Sequence, residues 1–261
     1  MVVLQTIDIQ EFKKSVMTLT PEQIEKNFQK LLDIISNKIS GDRGESLMNL
    51  HLSLILRIAT APASTKASYH NAFPGGYVLH VLNVVKAAEK IHAVWSDMGA
   101  TIDFTLEELY MSVICHDLGK IGSMTEDYYI PCEEAWLQKK GQIYVTNPAL
   151  QYMKAAERSL FLLQENGIIL SEKEYLTIKL HDGLYEEGNK SYYMSYNEDY
   201  ELKTVLPFIV HQADLLCSKT EKHVTLEAPK AANRIESKPS FPIKTAPTKT
   251  GNKTLDKFLN Q

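Results

Sequence analysis

The chain has 261 residues, 44% of them hydrophobic and 23% charged, which suits one sizeable core with or without a tail and excludes a wholly disordered chain. A net charge of −4 excludes a uniformly basic nucleic-acid binder, and no apolar run approaches the roughly 20 residues that a bilayer span requires. Met1 to Lys14 lacks the basic start and small-residue cleavage site of a secretory signal, and Cys115, Cys132 and Cys217 are too scattered for a disulfide framework or a thiolate zinc site, so a reducing, cytoplasmic setting is expected.

In chain order, residues 21–39 read as an amphipathic helix. Ile24, Phe28, Leu31, Leu32 and Ile35 recur at three- and four-residue spacing, and Thr20-Pro21 supplies an N-cap and a first helical position. A second helix is expected over 45–60, with Leu47, Leu50, Leu54 and Ile55 inward. The turn-rich stretch 69–76 opens a third helix, 77–95, apolar over much of its circumference and therefore central. The fourth, 105–116, takes Thr105 as N-cap with Glu107-Glu108 in its first turn. Residues 136–146 suggest a small β-hairpin turning at Lys140-Gly141, flanked by Ala135-Trp136-Leu137 and Ile143-Tyr144-Val145. Helices over 148–166 (closed by Gly167), 171–181 and 202–219 complete an all-α domain.

From about Ala228 onward the chain carries Lys230, Arg234, Lys238, Lys244, Lys249, Lys253 and Lys257 against Glu236 and Asp256, interleaved with Pro229, Pro239, Pro242 and Pro247. Such a segment cannot build a core, so 224–261 is expected to be a flexible basic tail. Its last residues, including Leu255, Phe258 and Leu259, regain apolar character, the pattern of a short docking peptide.

The chemistry centres on His116-Asp117. An imidazole and a carboxylate at the end of an apolar helix are costly to bury, and a divalent cation accounts for both. Leu106, Leu109, Val113 and His116 fall on one inward stripe; His80 shares a face with Tyr77, Val84 and Ile91. On the last helix Pro207, His211, Asp214 and Ser218 form a polar stripe beside Leu206, Val210, Ala213 and Cys217. Three helices thus point ionisable groups inward.

In this order, Gly75-Gly-Tyr-Val-Leu-His80, His116-Asp-Leu-Gly-Lys120 and Ala213-Asp214, the chain resembles the HD-domain metal-dependent phosphohydrolases over residues 68–218. The stretch His70-Asn-Ala-Phe-Pro-Gly-Gly-Tyr-Val-Leu-His80 is similar to a signature of HD-type 3′→5′ exoribonucleases. The resemblance implies an all-α HD bundle with a hairpin insertion at 66–223, N-terminal helices (1–65) packing on it, and a divalent metal (Mn, Mg, Co, Ni or Fe) held by His80, His116, Asp117 and Asp214. It implies that Asp117 or Asp214 orients or deprotonates water and that Lys120, with His181 or His70 nearby, meets a phosphate. His181 is similar to the extra histidine of two-metal members or to one that orients substrate. Those members place another histidine in a stretch corresponding to 147–158, which here has none, so one metal is expected. His70, Asn71, Arg158 and Tyr185 are candidate substrate contacts.

Two substrate classes follow. The first is a nucleotide, for a nucleotidase or a deoxynucleoside triphosphate triphosphohydrolase, since the body is acidic and no separate RNA-binding module is present. The second is a single-stranded nucleic acid, for a 3′→5′ exonuclease, favoured by the His70-to-His80 stretch and the tail. Guanosine tetraphosphate hydrolases and the Gly-Tyr-Pro cyclic-dinucleotide enzymes fit less well, because Leu118-Gly119-Lys120 and Leu184-Tyr185 stand where their acidic pair and motif would be. A third reading is a degenerate HD binding or adaptor module. Residues 254–261 look similar to the peptides with which replication proteins hold sliding clamps, so a clamp-like protein partner is a further expectation.

Overall fold

The computed structural model describes residues 19–195 and 197–223. The tail from residue 224 and its terminal peptide 254–261 lie outside the described residues, which belong to one compact unit. That unit is mostly helical with one small antiparallel sheet. Among the described residues no helix is long and apolar enough to cross a membrane.

The first helix, α1 (Pro21–Lys38), begins as its sequence dictates: Thr20 accepts the Gln23 N–H while the Gln23 side chain accepts the Thr20 N–H. Phe28, Leu31, Leu32 and Ile35 are buried and Ile24 is partly so. The expected second helix is two. α2 (Gly41–Ser53) starts four residues early, and α3 (Ile55–Thr60) follows a break at Leu54 (φ −111°, ψ 23°). The buried Leu47, Met48 and Leu50 outweigh the poor helix propensity of Gly41 and Gly44, while Ile55, expected inward, is 44% exposed beyond the break.

The central helix α4 (Gly76–Asp97) packs most extensively against the last one, and α5 (Leu106–Cys115) lies beside it. Thr105 caps α5 reciprocally with Glu108. Leu109 and Val113 are buried as expected, but Leu106 is 57% exposed because it occupies the first turn, ahead of the packed stretch.

The insertion differs from expectation. The strands are β1 (Tyr129–Pro131) and β2 (Tyr144–Thr146), with Ile130 opposite Val145. Residues 135–137, expected as a strand, belong to a short helix, α6 (Ala135–Gln138). Nothing in α6 is buried and Trp136 donates its indole N–H to Glu134, so the run had no core face to alternate against. Gly141 does turn the chain (φ +81°), and its carbonyl accepts the Ala67 N–H, tying the insertion to 65–67.

α7 (Ala155–Glu165) is shorter than the expected 148–166. Asn147 accepts the Ala149 N–H through Oδ1, a local turn that outcompetes the helix start suggested by Pro148. α8 (Glu172–Leu180) carries the Ser171–Glu174 capping box, α9 (Lys190–Tyr193) is one turn, and α10 (Leu206–Thr220) begins at Leu206, with Pro207 in its first turn, rather than at residue 202. One hydrophobic cluster runs from Phe28 through Tyr77, Ile114 and Leu162 to Cys217, so the helices before residue 65 share the core of residues 66–223.

Candidate metal centre and its cleft

Each ionisable group is delivered by the end or middle of a packed helix. The loop before α4 is tight. Asn71 sits at φ +45°, and its carbonyl accepts N–H groups from Ala63 (3.1 Å) and Phe73 (2.9 Å). Gly75 (φ +83°) precedes the helix, and a Cβ on Gly76 would stand 2.0 Å from the Asn71 oxygen. The glycine pair therefore fixes where α4 starts, and with it the position of His80 one turn on.

His116 and His181 occupy equivalent places just beyond α5 and α8. Each donates Nδ1–H to the carbonyl three residues back, Val113 at 2.7 Å and Ile178 at 2.8 Å, using acceptors that a helix C-terminus leaves free. After His116 the chain turns through a 3₁₀ segment, Leu118–Ile121, pressed against α7. Gly119 donates its N–H to Ser159 Oγ (2.7 Å), which lies 3.1 Å from the His116 carbonyl, and a Cβ there would stand 2.1 Å from the Ala155 oxygen. This contact sets the positions of Asp117 and Lys120.

The structure brings His80, His116, Asp117 and Asp214 together. His80 Nε2 lies 3.0 Å from Asp214 Oδ1 and 3.7 Å from Asp117 Oδ2; His116 Nε2 lies 3.4 Å from Asp117 Oδ2 and 3.9 Å from Asp214 Oδ1. His181 Nε2 joins them, 3.4 Å from Asp117 Oδ1. The ligand atoms of His80, His116 and Asp214 lie within 4.8 Å of one another, as do those of His181, Asp182 and Asp214. Lys120 Nζ sits 2.6 Å from Asp117 Oδ2.

The hydrogen bonds fix which nitrogen faces the centre. His80 directs Nδ1 to Glu221 Oε2 (2.8 Å), whose other oxygen accepts Asn83 Nδ2 (2.6 Å). All three histidines thus spend Nδ1 on an acceptor and turn Nε2 inward, the arrangement that makes imidazole a metal ligand. His116 Nε2 and Asp117 Oδ1 are buried without a hydrogen-bond partner. Oriented imidazoles, adjacent carboxylates and orphaned inward atoms fit a divalent cation, and His80, His116, His181 and Asp214 could hold one.

Charge in the site follows the same logic. Burial works against protonation of His80, but hydrogen bonds to Asp214 and Glu221 outweigh it and push the imidazole up to about 9. Burial is likewise overcome at His181, where Asp182 and Asp117 push the value up to about 10. Against their own burial, Lys120 and His116 hold Asp117 well below the usual carboxylate range, and His80 lowers Asp214. Both carboxylates are ionised, and the charge that balances them is the charge a cation would supply.

Beside the centre opens a cleft of about 380 Å³, lined among others by Tyr69, His70, Lys120, Tyr185, Lys219 and Lys222, with Asp214 at its inner end. Burial, then Lys120 and His80, push His70 down to about 3, so its imidazole is neutral. Of the other expected contacts, Tyr185 stands at the mouth, 72% exposed, but Asn71 and Arg158 do not line the cleft. Asn71 is buried in the turn described above. Arg158 is buried behind Gly119, donating to the Gln151 carbonyl with its guanidinium 5.7 Å from the Tyr128 ring centroid.

Sequence reasoning missed Glu221, Asp182, Lys219 and Lys222. Glu221 lies seven residues after Asp214, on the same helix face, a spacing that would have found it had the helix been carried past Lys219. Comparison with protein-family models, with curated proteins and with solved structures gave no match in any of the three.

Proposed function

We propose that this protein is an HD-type, metal-dependent phosphohydrolase acting on phosphoester bonds of nucleotides. The observation that carries the reading is the convergence of three imidazole Nε2 atoms, each with Nδ1 already engaged, on the carboxylates of Asp117 and Asp214. A divalent cation bound there supplies Lewis acidity towards a phosphoryl oxygen and acidifies water.

The chain's own residues supply the rest. Asp117, held ionised, orients water or takes its proton. Lys120, protonated beside Asp117 and lining the cleft, meets the phosphate charge and steadies the developing oxyanion. Neutral His70 lines the same wall, and its buried, unpartnered Nε2 offers a hydrogen bond to the phosphate or the leaving oxygen. A degenerate adaptor fits less well, because it leaves His116 Nε2 and Asp117 Oδ1 buried to no purpose.

The test uses bis(p-nitrophenyl) phosphate and purified full-length chain with manganese. Hydrolysis should fall by about a thousandfold or more in Asp117→Asn, with helical circular dichroism unchanged. Equal rates in the variant would refute the assignment.

A further inference from the structure

His211 lines the cleft from α10, three residues before Asp214, and no step of the proposed chemistry uses it. Its ring is held on two sides. Nδ1 lies 2.8 Å from the His181 carbonyl, and because a carbonyl can only accept, Nδ1 carries the proton. Gly183 (φ +57°) passes under the ring: a Cβ there would stand 2.2 Å from Cε1 and 2.4 Å from Nε2, so the turn after His181 is shaped around this imidazole. Tyr193 packs beside it, with ring centroids 5.8 Å apart. His211 is half-buried, and its Nε2 has no hydrogen-bond partner among the described residues.

With Nδ1–H engaged, the neutral ring turns a fixed lone pair to the cleft, and Asp182 and Asp214 line the same cleft with carboxylates. Phosphate oxygens are acceptors too, so Nε2 suits a hydroxyl or N–H of the ligand and not its phosphate. Position narrows the choice. Side chains three residues apart on a helix have Cβ atoms about 5–6 Å apart, so a group bonded to His211 lies within a few bonds of a phosphate beside Asp214. A nucleotide carries its sugar there, not its base. We propose that His211 Nε2 accepts a hydrogen bond from a ribose hydroxyl next to the reacting phosphate, which makes His211 a specificity-determining contact that favours ribose over a sugar without those hydroxyls. The inference rests on the hydrolase reading for where the phosphate sits.

The test measures binding without turnover. Adenosine 5′-methylenephosphonate, whose P–C bond resists hydrolysis, and its 2′,3′-dideoxy counterpart are titrated calorimetrically into manganese-loaded full chain at pH 8. The ribose ligand should bind about tenfold more tightly. His211→Asn keeps a side-chain N–H near the place of Nδ1 to hold the His181 carbonyl, but removes Nε2. It should bring the ribose ligand down to the dideoxy level while leaving the dideoxy ligand within about twofold of its affinity for the unmodified chain. His211→Gln, with an amide oxygen able to reach the place of Nε2, should restore part of the preference. Equal affinity of the unmodified chain for the two phosphonates overturns the proposal whether or not the variants fold, as does no measurable binding of either. So does a His211→Asn chain that weakens both ligands alike, which would make His211 a clamp on the 181–183 turn and nothing more. Should the preference appear and depend on His211 while the unmodified chain fails to hydrolyse bis(p-nitrophenyl) phosphate with manganese, the sugar contact stands and the hydrolase reading falls.

Discussion

α5 and α8 carry charge at both ends, and the two ends solve the problem of burial differently. At their N-termini Arg43 bridges Glu107 (2.6 Å) and the fully buried Glu174 (2.8 Å), while Ser171 donates to Glu108. Anions sit where helix dipoles favour them, and a cation from α2 balances them. At the C-termini of the same helices stand His116 and His181, with Asp117 and Asp214 between them. Here acids and imidazoles are adjacent, but inward lone pairs remain unanswered at His116 Nε2 and Asp117 Oδ1. The first end is a latch with one unanswered atom, Glu174 Oε1, and, among the described residues, no second ligand converging on it. The second is a receptacle. Buried charge alone does not mark a functional site; converging, unspent ligand atoms do.

The comparison can be broken most forcefully at the latch. Arg43→Ala leaves the Glu174 carboxylate buried without its cation and should cost on the order of 3 kcal/mol in urea unfolding. Metal retention by the folded fraction should stay unchanged. Loss of metal with little loss of stability would mean that the two ends are not separate in role.

His51 serves as the control, a buried imidazole with neither a latch nor a converging partner. Its Nδ1 donates to the Leu47 carbonyl, its Nε2 has no partner, and burial pushes it down to about 4. A depressed folded value means that the unfolded chain binds the extra proton, so stability is intact above about 6.5 and is lost as pH falls through about 4, by at most on the order of 3 kcal/mol. His51→Leu should flatten the unfolding free energy over that window. An unchanged pH profile would contradict the assignment.

The smallest effect tests the acceptor behind His80. Glu221→Gln keeps the shape but weakens the hold on Nδ1–H, and metal affinity should fall about tenfold. Isothermal titration with manganese reads this directly; unchanged affinity would remove Glu221 from the centre.

The centre was legible because its chemistry is local and periodic. His80, His116, Asp117 and Asp214 stand on apolar helical stretches where ionisable side chains have no other reason to be, Gly75 marks a left-handed turn, and Gly76 and Gly119 mark backbone approaches that exclude a Cβ. The unread parts depend on distant partners. Tyr144–Thr146 pairs with a segment thirteen or more residues earlier, and the sequence near Trp136 offers no sign of that. Glu221 sits where composition turns polar, just past the expected end of the last helix at residue 219. Arg158, expected as a substrate contact, is instead packed against the turn that carries Asp117.

Elemental analysis of chain exchanged into manganese and freed of loose ions by gel filtration tests the central claim most directly. The account predicts about one ion per chain, retained by Arg43→Ala and lost in His116→Ala. No retained ion, or an ion held equally well without His116, would contradict it.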